Sequence, residues 1–402
     1  MTRAITRERQ SGDGFVTRSR GRTSGVSGFS LIELLVVILI IALVVAIIVP
    51  ALGGAREAAR SASTNQLMTN VANAAESFNL DRQRAPGYFT PKQMGSSDNI
   101  GAYFSAMQNV MLELAGGIVG EGGGENAAEN RFLVGPRASA EQNDLVLVDL
   151  DRIGVESDGN NVYFRPDESS FVSMHPDVQD VPNRQGVFAS VRNEGNLRVP
   201  SLIDSFGTPL LAWQRDTSVT GQAFMPGASG IPNDAPLFAR AASGRWDDRS
   251  GRFDAYFYWA SNAAFLQATA VGQKSIDQAE NSLYGSGIRP DDRERSLTAM
   301  LGHPGFPGVD LNASGLSSED IAPSAPRAPL MIHSAGRDGV YLGLQDAGEL
   351  LPSGQDYVWY SSNFFSPGTT SPGPEDRYTD NGQVVTEDVL DSFDDMITGV
   401  GQ

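Results

Sequence analysis

Glu33 is the residue whose chemistry is hardest to account for by folding alone. Phe29-Ser30-Leu31-Ile32 precede it, and the sixteen residues Leu34–Val49 that follow carry no polar side chain. A carboxylate in such a run costs several kcal/mol in a bilayer unless it is paired, so it marks a function. A cut between Gly28 and Phe29 would create an ammonium group close to Glu33 and supply that partner, in the same chain or from a neighbour. The other groups able to do chemistry are acids and three histidines. His175, His303 and His333 lie far apart, and two of them directly precede proline. There is no His-Glu-x-x-His, no zinc-ligand pair at helical spacing and no Gly-x-Ser-x-Gly elbow. The glycine-rich stretch Gly116 to Gly124 is not followed by Gly-Lys-Ser/Thr, so it reads as a surface connection rather than a phosphate loop. Asp149-Leu150-Asp151 with Asp158-Gly159-Asn160 lacks the spacing of a calcium loop, and Asp247-Asp248 and Asp291-Asp292 read as solvated turn pairs. An enzymatic reading has no positive support in these residues.

Residues 1–28 carry six arginines against Glu8 and Asp13, a net +4, which leaves a net −22 on the rest of a chain whose total is −18. From Phe29 to Pro50 the apolar stretch is about the ~20 residues that cross a hydrocarbon core as a helix. It exceeds the roughly 7–15 residues of a secretory h-region, and no small-x-small cleavage site follows it directly. Arginines before the span and acids after it place the amino end in the cytoplasm and the acidic body outside. The acidic balance excludes nucleic acid as a partner, because phosphates are bound by clustered Lys and Arg. The absence of cysteine excludes disulfides, thiolate metal sites and thiol catalysis.

Beyond Pro50, Leu67, Val71, Ala74 and Phe78 fall on one helical stripe. Pro50, with Gly53 and Gly54 beside it, predicts a kink. The expected element is one long bent helix to about Arg84, on the order of 80 Å at ~1.5 Å rise per residue. Ala85-Pro86-Gly87 end it. The 402 residues include 44 glycines and 22 prolines, which favours a loop-rich body. A short amphipathic helix is expected over Asn99–Ala115. Strands are expected at Leu145–Leu150, Val162–Arg165, Gly186–Val191, Pro209–Trp213, Phe253–Trp259, Pro329–His333 and Gly339–Gly343. Met225–Pro236 and Gly302–Arg327 read as long insertions. The organisation is therefore a leader (1–28), a membrane half-helix (29–50), an outer half-helix (51–84) and an extracytoplasmic body (85–402).

Gly28-Phe29-Ser30-Leu31-Ile32-Glu33-Leu34-Leu35-Val36-Val37 resembles the prepilin signature of type IV pilins and type II secretion pseudopilins. The resemblance implies an α+β pilin-like fold, with the long helix packed on an antiparallel β body. It also implies cleavage after Gly28 by a prepilin peptidase, methylation of the new amino group of Phe29, and pairing of Glu33 with a neighbour's terminal amine during filament assembly. Asp204-Ser205-Phe206-Gly207-Thr208-Pro209, Ser334-Ala335-Gly336-Arg337-Asp338-Gly339 and Ser392-Phe393-Asp394-Asp395-Met396-Ile397 are similar to three stretches of the major pseudopilin, in the same order. In that family the carboxy-terminal loop binds calcium, which carries over to Asp338, Asp394 and Asp395, although about fifty residues separate the two stretches here. Other pilin-type subunits, an inner-membrane assembly platform and membrane lipid are the implied partners, and the location is a single-pass inner-membrane subunit. The alternatives are a minor type IV pilin in adhesion, motility or DNA uptake, and a membrane-anchored extracytoplasmic domain that binds or catalyses.

Overall fold

The computed structural model describes residues 30–96, 98–121, 130–137, 145–156, 161–175, 194–217, 257–266, 300–303, 325–343, 346, 379–380, 383–384, 390 and 393–401. Contacts divide the chain into two units, residues 1–55 and 56–402, and each is taken by itself. Helix α1 spans Leu31–Arg82, and Pro50 lies inside it rather than ending it. In the first unit every residue from Leu31 to Val49 is exposed, and none of these side chains finds a core. Water cannot accommodate an aliphatic surface this long and continuous without large cost. The helix is, among the described residues, the one long and apolar enough to cross a membrane.

In the second unit α1 changes character. Thr64, Met68, Val71, Ala74, Ala75 and Phe78 are buried, three and four residues apart as one helical face requires. The expected stripe is thus correct in period but rotated slightly, with Met68 fully buried where Leu67 is only partly so. Its end is clamped to α4 (Ala106–Leu114). Arg84 makes a two-point ion pair with Glu113, whose Oε2 also accepts the Gly87 amide at 2.7 Å. Tyr163 stacks edge-on against Phe78 at 5.2 Å and donates its hydroxyl to Asp81.

Helices α2 (Pro91–Met94) and α3 (Asn99–Ala102) precede α4. The single helix expected over Asn99–Ala115 is broken because Tyr103 takes a left-handed backbone (φ 60°) and Ser105 opens a new capping box with Gln108. Strand β1 (Ile118–Glu121) pairs with β3 (Val146–Asp149), which pairs with β2 (Arg131–Val134), all antiparallel. The glycine-rich stretch from Gly116 was expected to be loop, and part of it is strand. Strands β4 (Phe171–Val172) and β5 (Ser201–Leu202) form a short pair flanking α5 (Glu194–Arg198). Val162–Arg165 and Gly339–Gly343, expected as strands, lie in irregular and turn segments. Gly186–Val191 lies outside the described residues, as do Met225–Pro236 and residues 253–256. The rest of Phe253–Trp259 leads into a 3₁₀ turn at Trp259–Asn262 and then α6 (Ala263–Leu266).

The central element is the antiparallel sheet β6 (Leu211–Gln214), β7 (Leu330–Ser334) and β10 (Met396–Val400), with β7 in the middle. A small separate hairpin pairs β8 (Thr379–Asp380) with β9 (Gln383–Val384). His333 lies opposite Leu211 on one side and Ile397 on the other, while Ile332 lies opposite Ala212 and Thr398. Alternation along the strands sends successive side chains to opposite faces. Leu211, Trp213, Met331 and Ile397 therefore enter one apolar cluster, with Phe257, Phe265 and Tyr341. Ala212, Leu330, Ile332 and Val400 enter the other, with Met68, Val71 and Phe78 of α1 and Met107 and Val110 of α4. The arrangement is α+β, antiparallel, with a long amino-terminal helix, as expected. Phe78 is 4% exposed at the meeting of helix, Tyr163 and Arg84. Replacing it with Ala is expected to lower stability by about 3–5 kcal/mol, read by chemical denaturation of the detergent-solubilised chain.

Candidate functional site

Two places hold the residues singled out by chemistry. At the start of α1, Ser30 Oγ accepts the Ile32 amide at 3.3 Å, and Glu33 Oε2 accepts the Ser30 amide at 2.8 Å. This is the reciprocal logic of a capping box: amides at the helix start lack partners within the helix, and a carboxylate there is favoured by the helix dipole. Glu33 thus has a local structural partner as well as its position in the apolar run.

The second place is where β7 and β10 end. Asp204 lies in the turn joining β5 to β6, and its Oδ1 accepts the amides of Phe206 and Thr208. Its Oδ2 accepts the Ser334 hydroxyl at 2.7 Å, while Ser334 Oγ in turn accepts the Gly336 amide. Ser205 donates its amide to Thr64 of α1, which ties the same turn to the helix. Gly336 has φ +59°, and an added Cβ would stand 2.4 Å from the Asp394 carbonyl, so only glycine fits there. Asp346 is fully buried. Its Oδ1 accepts the amides of Asp394 and Asp395, and its Oδ2 accepts that of Gly343. Asp338 accepts the Val340 amide, and its Oδ2 and Asp346 Oδ2 both lie just over 3 Å from the place a Cβ would take on Gly343. Asp395 Oδ2 accepts the Leu342 amide at 2.7 Å and faces His333 Nε2 at 2.7 Å.

Two buried carboxylate oxygens, Asp394 Oδ2 and Asp395 Oδ1, have no hydrogen-bond partner among the described residues. Such groups are costly in a protein interior. Burial pushes the Asp346 carboxyl up to about 8, reinforced by the charge of Asp395. Burial likewise raises Asp395, with the charges of Asp338, Asp394 and Asp204 adding to it. His333, enclosed by the core, is pushed down to about 4 and is neutral at physiological pH. The site is a concentration of carboxyl groups with no buried cation against it among the described residues. Arg337 stands at its rim, paired with Glu57 of α1 at 2.9 Å, and both are exposed.

Residues 23–49 match the family model described as the prokaryotic N-terminal methylation motif. That motif supports a type IV pilin-like reading of the chain. No curated protein and no solved structure matches it. The motif implies processing by a prepilin peptidase and assembly with other pilin subunits, and the apolar helix that follows fits an inner-membrane anchor. The motif belongs to structural subunits rather than to an enzyme family.

Gly28 and Phe29 lie outside the described residues, and Glu33 sits in the first turn of α1. Asp338, Asp394 and Asp395, chosen from separate stretches of sequence, are brought together. Among the described residues no three His, Asp or Glu side chains already stand as a metal-ligating set. Sequence reasoning missed Asp346, whose three backbone bonds organise the cluster, and the packing of His333 and Trp213 behind it. The available signal was a second aspartate eight residues after Asp338 across a glycine-containing turn.

The raised carboxyls set a pH dependence. Without cations the folded protein holds protons on Asp346 that the unfolded chain has released, so this stability is present at low pH and is lost as pH rises toward about 8. His333 works the other way, but only between about 4 and 6.5. In chelator, unfolding free energy is therefore expected to fall by on the order of 1–2 kcal/mol between pH 6.5 and 8. Asp346→Asn should flatten that slope in pH-resolved denaturation curves.

Proposed function

We propose that this pilin-like chain is a non-enzymatic subunit of a type II secretion pseudopilus, cut after Gly28, methylated on Phe29 and built into a helical filament. The observation that carries the narrower assignment is that the three stretches resembling the major pseudopilin meet at one acidic site, although they are far apart in sequence. Glu33 has two roles in this reading. In the single chain its carboxylate caps α1. In the filament it takes the methylated amine of Phe29 from a neighbouring subunit, a stronger partner in a low-dielectric setting than a backbone amide. The exposed surface from Leu31 to Val49 is covered by lipid before assembly and by other subunits after it. Pro50 supplies a kink between the two halves of the helix. Repetition of one heterologous contact without closure gives a helical filament. The body from Ala85 to Gln402 has 318 residues, which favours a minor or tip-proximal place over a densely packed shaft. A minor type IV pilin shares these features, and filament type is decided by which assembly platform the subunit requires.

Calcium belongs to the same reading. A hard cation takes six to eight oxygens from carboxylates and carbonyls, and Asp338, Asp394 and Asp395 are the donors that the resemblance points to. The two orphaned oxygens of Asp394 and Asp395 would hold it, with Asp338 beside them and Asp346 fixing the loop. Bound there, the ion supplies the positive charge that the buried carboxylates lack.

Mass spectrometry of the mature protein is expected to find a chain beginning with methylated Phe29; an intact amino terminus or a cut near Ala51 would reject the filament reading. Glu33→Ala should leave membrane insertion intact and reduce filament yield at least tenfold, counted by electron microscopy. Calcium should raise the melting temperature by several degrees and chelator should reverse it, as expected for a ligand that binds only the folded state.

A further inference from the structure

We propose that the polar groove between α1 and the β4–β5 pair is a saccharide-binding site. It depends neither on the filament type nor on calcium. Every residue that lines the groove lies in the second unit. Ser63, Gln66, Leu67 and Asn70 stand at i, i+3, i+4 and i+7, one face of α1, and form one wall. The other wall is made by two turns, residues 167–170 just before β4 and 203–207 just after β5. The groove has a volume of about 460 Å³, within the roughly 300–1,000 Å³ of small-molecule sites. Its shape is built in. Ile203 donates its amide to the Ser170 carbonyl at 2.7 Å, which joins the two turns. Thr64, 0% exposed, accepts the Ser205 amide at 3.1 Å and fixes the second turn to the helix. Gly207, at φ +86°, has nothing within 4 Å of the place a Cβ would take, so the wall is bare backbone there.

The chemistry of the lining selects the ligand. Gln66 and Asn70 bond each other at 2.8 Å through one amide nitrogen and one oxygen. Whichever way the two carboxamides are turned, the pair keeps an NH₂ and a carbonyl oxygen for a ligand. Ser170 gives both its amide and its hydroxyl to the Asp167 carbonyl, at 3.0 and 3.1 Å, which shapes the turn and leaves the exposed Asp167 carboxylate to the groove. Ser63 and Ser169 add hydroxyls, each both donor and acceptor. Asp204 also borders the groove, but both its oxygens are already bonded. No Lys, Arg or His stands among the lining residues. A phosphorylated or sulfated ligand would therefore meet carboxylates and no cation. An aliphatic one would strip water from amides and hydroxyls without replacing it. A second copy of this chain, net −22 beyond its leader, would bring like charge to a groove whose free charge is a carboxylate. Sugar hydroxyls donate and accept as these groups do, and the C–H face of a pyranose ring has the half-buried Leu67 and Ile203 to rest on.

The test is ligand-observed saturation-transfer NMR on the full chain, held in a detergent without a sugar headgroup. The probes are glucose, cellobiose, N-acetylglucosamine and chitobiose, so that a neutral polysaccharide and an N-acetylated glycan strand are told apart. At least one probe should bind in the millimolar range or tighter. Ser63→Trp, a change on the exposed face of α1, fills the groove and should abolish that signal. Asp167→Ala should weaken binding about tenfold, as expected for the loss of hydrogen bonds to a charged group. If no probe binds, or if the folded Ser63→Trp variant binds as well as the unaltered protein, the proposal is overturned. Should Ser63→Trp fail to fold, Gln66→Ala with Asn70→Ala decides: undiminished binding overturns the proposal, and a loss of tenfold or more upholds it. If no sugar binds and Ser63→Trp stops filament growth, the groove holds a neighbouring copy, and the saccharide reading falls while the filament reading stands.

Discussion

Strand β7 is buried on both faces and paired on both edges, and the body is organised around that constraint. Its register with β6 and β10 decides that Ile332 goes to the side where α1 and α4 pack and His333 to the other. A slip of one residue would exchange the two sets and put an imidazole against the aliphatic face of the helix. Because His333 and Ser334 close the strand, the same register also delivers the chain into the turn at Gly336, where the carboxylates gather. Packing and site are thus two outcomes of one alternation.

The acidic site works against the core that holds it. Carboxyl groups in a dry interior are disfavoured when ionised, and here they share a small volume without a buried cation among the described residues. Backbone amides offset part of this: Asp346 alone takes three, and Asp204 takes two amides and a hydroxyl. In a chain without cysteine, these side-chain-to-backbone bonds do the cross-linking that disulfides often do in exported domains. The amide bonds of Asp346 join segments 48 and 49 residues apart, and the Ser334 hydroxyl on Asp204 joins ones 130 apart.

Much of the amino-terminal half could be read directly. Glu33 stands out because a charge in an aliphatic run has few explanations, and the stripe on α1 follows from period alone. The error of one position between Leu67 and Met68 is what a helix rotated slightly against its partner produces. Strand β7 was visible as a short β-branched and apolar run. Strand β10 was not, because Met396-Ile397-Thr398-Gly399-Val400 contains a glycine and follows acids that read as a turn. Asp338, Asp394 and Asp395 were legible only through resemblance. Asp346 escaped because its role is to bond backbone groups of residues 48 and 49 positions away, which spacing in sequence does not encode.

β6 and β7 are neighbours in the sheet, yet residues 215–329 run between them in the chain. The entropy of closing such an excursion grows only logarithmically with its length, about 0.6 kcal/mol for each doubling. The sheet therefore sets almost no upper limit on what is inserted between its strands. A body of this design can enlarge from one protein to the next while its framework of three strands and one helix stays the same size, so its mass says little about how it is built.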